Sequence, residues 1–228
     1  MNDVPFIPPP AHNPDQQRLR RIGRKVRERL AKLPEVYPLP TDKAEMFAVG
    51  EFFTLEECGR LMTMIDAVAQ PSRAFDATYE SGYRTSYSGD VDPHDPFIRK
   101  LQRRLDDLLG IDPTYGETIQ GQRYLPGQEF QPHCDWFPGG TTYSEEAMKR
   151  GGQRSITAMA YLNPVEEGGA TAFPRIGLSI EPKPGALLIW NNADPEGKPN
   201  PWTIHAGTPV VRGVKYIITK WYRTRRWN

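Results

Sequence analysis

The chain holds only four histidines, and two of them stand where they could do chemistry. In Pro132-His133-Cys134-Asp135 an imidazole and a carboxylate are separated by one residue, hence on the same side of an extended backbone. Such a pair is weak alone, because a surface histidine beside an aspartate gives the same pattern. His205, in Trp202-Thr203-Ile204-His205-Ala206-Gly207, changes the reading. Two imidazoles and one carboxylate, brought together from separate strands, would leave three positions of an octahedral ion open on one face. That arrangement favours Fe(II) chemistry with oxygen, and ligand identity alone leaves zinc open as well.

Lys215 follows His205 across Pro209-Val210-Val211-Arg212-Gly213-Val214, whose Pro and Gly suit a turn between adjacent strands. On the final strand Lys215, Ile217, Thr219 and Trp221 alternate onto one face. A lysine on that face is costly to bury unless an anion pairs with it. The competing reading is a solubilising charge on an edge strand. Tyr124, in Arg123-Tyr124-Leu125-Pro126-Gly127-Gln128, offers a hydroxyl to the same anion.

These residues need a scaffold. Strand-like runs at 119–125, 155–162, 186–190 and 214–222, bounded by Gly or Pro, carry most of them. Upstream the texture is helical. Leu19, Ile22, Val26, Leu30 and Leu33 recur at spacings of three and four, and Met46-Phe47-Ala48-Val49 reads as a short strand. Thr54-Leu55-Glu56-Glu57 has capping-box spacing, and Asp95-Pro96 opens a helix that stops at Gly110. Helices followed by strands predict a mainly β fold, a barrel or sandwich braced by N-terminal helices. The divisions expected are an N-terminal extension over 1–45 and a main domain over 46–228, its barrel spanning about 115–225.

With 228 residues, 38% of them hydrophobic, the chain can bury one substantial core. Its 23 prolines and 20 glycines lack a period, which excludes collagen and fits many turns between short elements. No apolar stretch approaches the roughly 18 residues of a membrane-spanning helix, so no membrane association is expected. Met1-Asn2-Asp3-Val4-Pro5 lacks the charged-then-apolar order of a signal peptide. Two cysteines make no disulfide framework. A cytoplasmic location is therefore expected. Residues 1–15, with Pro8-Pro9-Pro10, read as an extended lead-in. Between Gln16 and Leu33 eight basic residues face a single acid, Glu28. This basic amphipathic helix would pack on the domain or contact a partner. Because positive charge is concentrated there and at Arg223, Arg225 and Arg226, the sequence argues against a nucleic-acid enzyme.

Taken together, the segments from Arg123 to Arg223 resemble the prolyl 4-hydroxylase-like 2-oxoglutarate/Fe(II) dioxygenases. Beyond those quoted, the matching pieces are Gly151-Gly152-Gln153-Arg154, Tyr161-Leu162-Asn163, Gly168-Gly169-Ala170-Thr171-Ala172-Phe173-Pro174, Pro182-Lys183-Pro184-Gly185 and Thr219-Lys220-Trp221. A weaker likeness reaches back through Arg84-Thr85-Ser86 to residue 46. The resemblance implies a double-stranded β-helix, or jelly-roll. It implies Fe(II) held by His133, Asp135 and His205. The distal carboxylate of 2-oxoglutarate would pair with Lys215, with Tyr124 and Thr157 as further contacts. Arg84, Ser86 and Trp221 would touch substrate. O2 would be the other cosubstrate, with ascorbate supporting activity. The chain departs from the family pattern at Ala170, where a glutamate is common.

The reaction so implied hydroxylates a prolyl residue in a peptide or protein, with release of succinate and CO2. The runner-up is a hydroxylase of a free amino acid or other small molecule. A jelly-roll binding module without turnover comes third, and would be signalled by a missing metal ligand.

Overall fold

The computed structural model describes residues 13–72, 82–138 and 142–227. Most of the expected lead-in, with His12, lies outside them. Four helices and fourteen strands are present among the described residues: α1 (Gln16–Leu30), α2 (Leu55–Val68), α3 (Pro96–Leu109) and α4 (Thr142–Lys149), with β1 (Val36–Pro38), β2 (Met46–Val49), β3 (Gln70–Pro71), β4 (Tyr87–Asp90), β5 (Gln120–Tyr124), β6 (Phe130–His133), β7 (Arg154–Tyr161), β8 (Glu167–Gly168), β9 (Thr171–Phe173), β10 (Leu178–Ile180), β11 (Leu187–Asn191), β12 (His205–Gly207), β13 (Val210–Arg212) and β14 (Lys215–Arg223). The strands form an eight-stranded sheet ordered β1-β2-β11-β7-β14-β5-β4-β3, a four-stranded sheet β10-β9-β12-β6 and the pair β13-β8.

The two faces of the large sheet follow from the period of a strand. On β7, Ile156 and Ala158 belong to the cluster that also holds Leu61, Ile65, Ile98, Leu101 and Leu105 of the helices. Met159 and Tyr161 belong to a second cluster, with Phe173 of β9 and Leu188 and Trp190 of β11. β14 splits the same way, Ile218 and Tyr222 facing the helices and Ile217 facing the interior between the sheets. A sheet buried on both faces explains why these strands read as nearly continuous apolar runs rather than clean alternation.

Local signals set the helix ends. Thr54 Oγ1 accepts from Glu57 N and Glu57 Oε2 accepts from Thr54 N, both at 3.1 Å, completing the capping box of α2. Asp95 Oδ1 accepts from Phe97 N at 2.7 Å, and Gly110 closes α3 with φ 65°. α1 buries Leu19, Val26 and Leu30, the last two within the core cluster under the sheet. Its Gly23 lies against the Asn191 side chain, where a Cβ would collide with the amide nitrogen, so a glycine is required for this approach.

The large sheet also draws on strands outside 115–225: β1 to β4 supply half of its strands. β1, β3 and β4 are short and β4, Tyr-Ser-Gly-Asp, is mostly polar, so edge pairing rather than an apolar pattern makes them strands. The short helix α4 spans too few residues to show a helical period, and α1 ends at Leu30, short of the last periodic residue, Leu33.

Candidate active site

β6 and β12 pair antiparallel with His133 directly opposite His205, so one ladder rung brings together residues far apart in sequence. Their ring centroids are 4.2 Å apart. Asp135 lies just past the end of β6, with Oδ2 3.8 Å from His205 Nε2. Donor atoms of His133, Asp135 and His205 all lie within 4.8 Å of one another, and all three residues are buried.

The imidazoles are held in a ligating state. His133 Nδ1 donates to Gln131 O at 2.8 Å, and His205 Nδ1 donates to Thr203 O at 3.0 Å. Each proton is thereby fixed on Nδ1, leaving Nε2 with a free lone pair. Burial, followed by the neighbouring His205, pushes the His133 pKa well below the usual imidazole range, so its neutral form prevails at neutral pH. Phe130 stacks on His133 (centroids 3.5 Å apart, rings 13° from parallel) and Trp190 packs edge-on to His205 at 4.8 Å, fixing both rings. Two imidazoles and a carboxylate on one side of a cavity fit a divalent metal with open positions opposite.

Lys215 opens β14 in register with Tyr124 on β5, and both line the cavity that holds the three donor residues. Lys215 is 1% exposed. Its Nζ lies 5.2 Å from the Tyr124 ring centroid and 5.7 Å from that of Tyr161. Burial lowers its pKa to about 7, opposed, among the described residues, by Glu181. Ile217, Thr219 and Trp221 line the same cavity, so the alternating face of β14 is its wall. The Tyr124 hydroxyl donates to Gln122 Oε1 at 2.9 Å.

Arg84 also reaches the cavity, its guanidinium 4.8 Å from the Phe130 ring centroid and bonded through Nη2 to Gln120 Oε1 at 3.0 Å. Ser86 does not line it. It is fully buried, accepting from Arg84 Nε at 3.3 Å and sharing a 2.9 Å hydrogen bond with Ser72 Oγ. The structure thus corrects its expected substrate contact to a support for Arg84. Trp221 lies between the cavity and the Arg154 guanidinium, 3.9 Å from its ring centroid.

Thr157 is corrected as well. It faces inward, but its hydroxyl donates to Asp135 Oδ2 at 2.7 Å and accepts from Asn192 Nδ2 at 2.9 Å, so it is committed behind the carboxylate. Thr171 of β9 lines the cavity instead, as does Thr219, and Thr171 Oγ1 accepts from the Tyr161 hydroxyl at 2.7 Å. Sequence reasoning passed over Thr171 and Gln122. The available signal was the inward phase of β9 and β5, legible only once the partner strands are known.

Known proteins match this arrangement. The model of the 2OG-Fe(II) oxygenase superfamily matches residues 119–223. The probable prolyl 4-hydroxylase 8 of Arabidopsis thaliana is 31% identical over 207 residues, covering 80% of this chain and 69% of that protein. Prolyl 4-hydroxylase 5 of the same plant is 33% identical over 203 residues, covering 78% and 67%. Among solved structures, a viral collagen prolyl hydroxylase from Paramecium Bursaria Chlorella virus-1, complexed with 2-oxoglutarate, superposes with a TM-score of 0.61 at 29% identity. It covers 77% of this chain and 94% of that one.

Proposed function

The chain belongs to the prolyl 4-hydroxylase family of 2-oxoglutarate/Fe(II)-dependent dioxygenases, and from that membership we propose that it hydroxylates a prolyl residue within a peptide or protein, releasing succinate and CO2. The observation that carries the reading is one cavity shared by a two-histidine, one-carboxylate donor set and the buried Lys215. His133, Asp135 and His205 would hold Fe(II). Lys215 would take the distal carboxylate of 2-oxoglutarate, with Tyr124 beside it on the cavity wall and the Tyr124 hydroxyl held by Gln122. Bound Fe(II) supplies the activation of O2 that is coupled to decarboxylation of the cosubstrate.

The protein's own contribution is placement and exclusion of water. Phe130, Trp190 and Phe173 wall the histidines with apolar rings. Arg84 and Trp221 stand on the cavity wall as the groups offered to substrate, Arg84 to a peptide carbonyl and Trp221 to a pyrrolidine ring. Ascorbate as a supporting reductant and a cytoplasmic location are part of the proposal. Two free, buried cysteines agree with a reducing compartment.

The test is succinate production from 2-oxoglutarate with Fe(II) and ascorbate, with and without proline-rich peptides, the peptides then weighed by mass spectrometry. Peptide-stimulated succinate with one added oxygen per hydroxylated residue is expected. Succinate without peptide gain would move the substrate to a small molecule. Bound iron with no succinate would make this a binding module.

A further inference from the structure

Asp135 stands beyond the last residue of β6, so no ladder hydrogen bond of that strand fixes its carboxylate. A buried side-chain relay does. Asn192 Nδ2 donates to Thr157 Oγ1 at 2.9 Å, and Thr157 Oγ1 donates to Asp135 Oδ2 at 2.7 Å. All three residues are buried. A hydroxyl has a single proton, and with an amide N–H already directed at its oxygen that proton is aimed at the carboxylate.

The same asparagine leads to a second donor residue. Asn200 N donates to Asn192 O at 2.9 Å, and Thr203 N donates to Asn200 O at 3.1 Å. Thr203 Oγ1 adds a second bond to Asn200 O at 2.8 Å, and Thr203 O receives the His205 Nδ1 proton at 3.0 Å. The Asn200 side chain stiffens this segment from both sides, accepting from Trp202 N at 3.0 Å and donating to Lys43 O at 2.9 Å. From Asp135 to His205, every link is therefore a hydrogen bond or a covalent segment between two of them.

We propose that Thr157 and Asn192 are positioning residues of the metal centre, with Asn192 the common anchor that holds the Asp135 carboxylate and the His205 ring in one fixed relation. The inference rests on the metal-centre reading above. Groups hydrogen-bonded behind metal ligands orient them and raise their basicity, and losing one typically weakens metal affinity about 10- to 100-fold. The alternative is a bond that merely satisfies a buried hydroxyl, which would affect stability and leave affinity alone.

The experiment titrates the metal-free full chain with Co(II) under anaerobic conditions, reading the dissociation constant from visible absorption and the fold from the thermal midpoint. Thr157→Val keeps the shape and removes the donor, and is expected to weaken Co(II) binding about 10- to 100-fold. Thr157→Ser restores the donor and is expected to bind within about threefold of the parent. Asn192→Ala leaves the hydroxyl present but undirected, and is expected to weaken binding severalfold. It also keeps the test decisive if Thr157→Val fails to fold. Lowered midpoints with unchanged Co(II) affinity would overturn the relay. A parent chain that binds no Co(II) would overturn the metal centre itself, and the two failures are told apart by that first titration.

Discussion

Lys215 gives the sharpest quantitative consequence. Its ammonium is buried on the inner face of β14, and burial lowers its pKa from the ordinary 10.5 to about 7. The groups around it are Tyr124 on β5, Tyr161 on β7, Glu181 just after β10, and Arg84 across the cavity. Among these only Glu181 favours the charged lysine, and it is exposed. A dianionic cosubstrate placing a carboxylate on Nζ would restore the proton. At pH 8 about one lysine in ten is charged before binding and nearly all after it, so about 0.9 proton should be taken up per 2-oxoglutarate; at pH 6 uptake falls to about 0.1. Affinity should then decline about tenfold per pH unit above pH 7. The assay is calorimetric titration of 2-oxoglutarate into the Mn(II)-loaded chain in buffers of different ionisation enthalpy. Lys215→Arg should bind without that slope, because a guanidinium stays charged throughout. Lys215→Met should lose about 3–5 kcal/mol of binding, the cost of stranding one partner of a buried pair.

The ligand-free protein supplies an independent sign. Between pH 7 and 10.5 the unfolded chain holds the Lys215 proton and the folded chain does not, so stability rises with pH across that window. The full effect, from about 1.36 kcal/mol per pKa unit, is on the order of 5 kcal/mol, so Lys215→Met should be more stable than the parent at neutral pH and flatter with pH. A parent chain with no proton uptake at pH 8 and constant affinity from pH 6 to 9 would refute the reasoning.

Three further outcomes are expected. His205→Ala should abolish Fe(II)-dependent succinate formation, and unchanged succinate would remove it from the metal centre. Arg84→Ala should raise the peptide KM while largely sparing peptide-independent decay of 2-oxoglutarate; equal loss of both would make Arg84 scaffold. Glu117 binds Arg154 at 2.7 Å and lies 2.7 Å from Arg223 Nε. Burial alone would push its carboxyl pKa up, but the two guanidiniums hold it below the usual value, so its contribution is present above the ordinary carboxylate range and is lost on acidification through the lowered pKa. Glu117→Ala should cost about 3–5 kcal/mol in chemical denaturation at pH 7, by stranding two buried cations. A variant within 1 kcal/mol of the parent would show that the network is dispensable.

The sequence by itself determined the elements whose causes are local. The capping box at Thr54, the Asp95-Pro96 start and Gly110 stop of α3, and the central strands β5, β7, β11 and β14 each follow from residues within a few positions of one another. It also determined which residue types stand on the inner face of β14, because alternation along a strand needs no partner. The donor set His133, Asp135 and His205 was legible as a candidate for the same reason: residue type and spacing limit what they could do.

Tertiary structure alone decided what those groups touch. β1, β3 and β4 are strands because a neighbouring edge offers their backbone a partner, which no local pattern records. Thr157 and Thr171 are both threonines on inward-facing strand positions. One is taken up by Asp135 and Asn192 and the other lines the cavity, according to which strand each is paired with. Ser86 sits under Arg84 instead of reaching substrate, because a short hydroxyl in the same row as a long guanidinium is covered by it. Hydrogen bonds act over about 3 Å, and only the closed fold brings β6, β7, β11 and β12 within that reach.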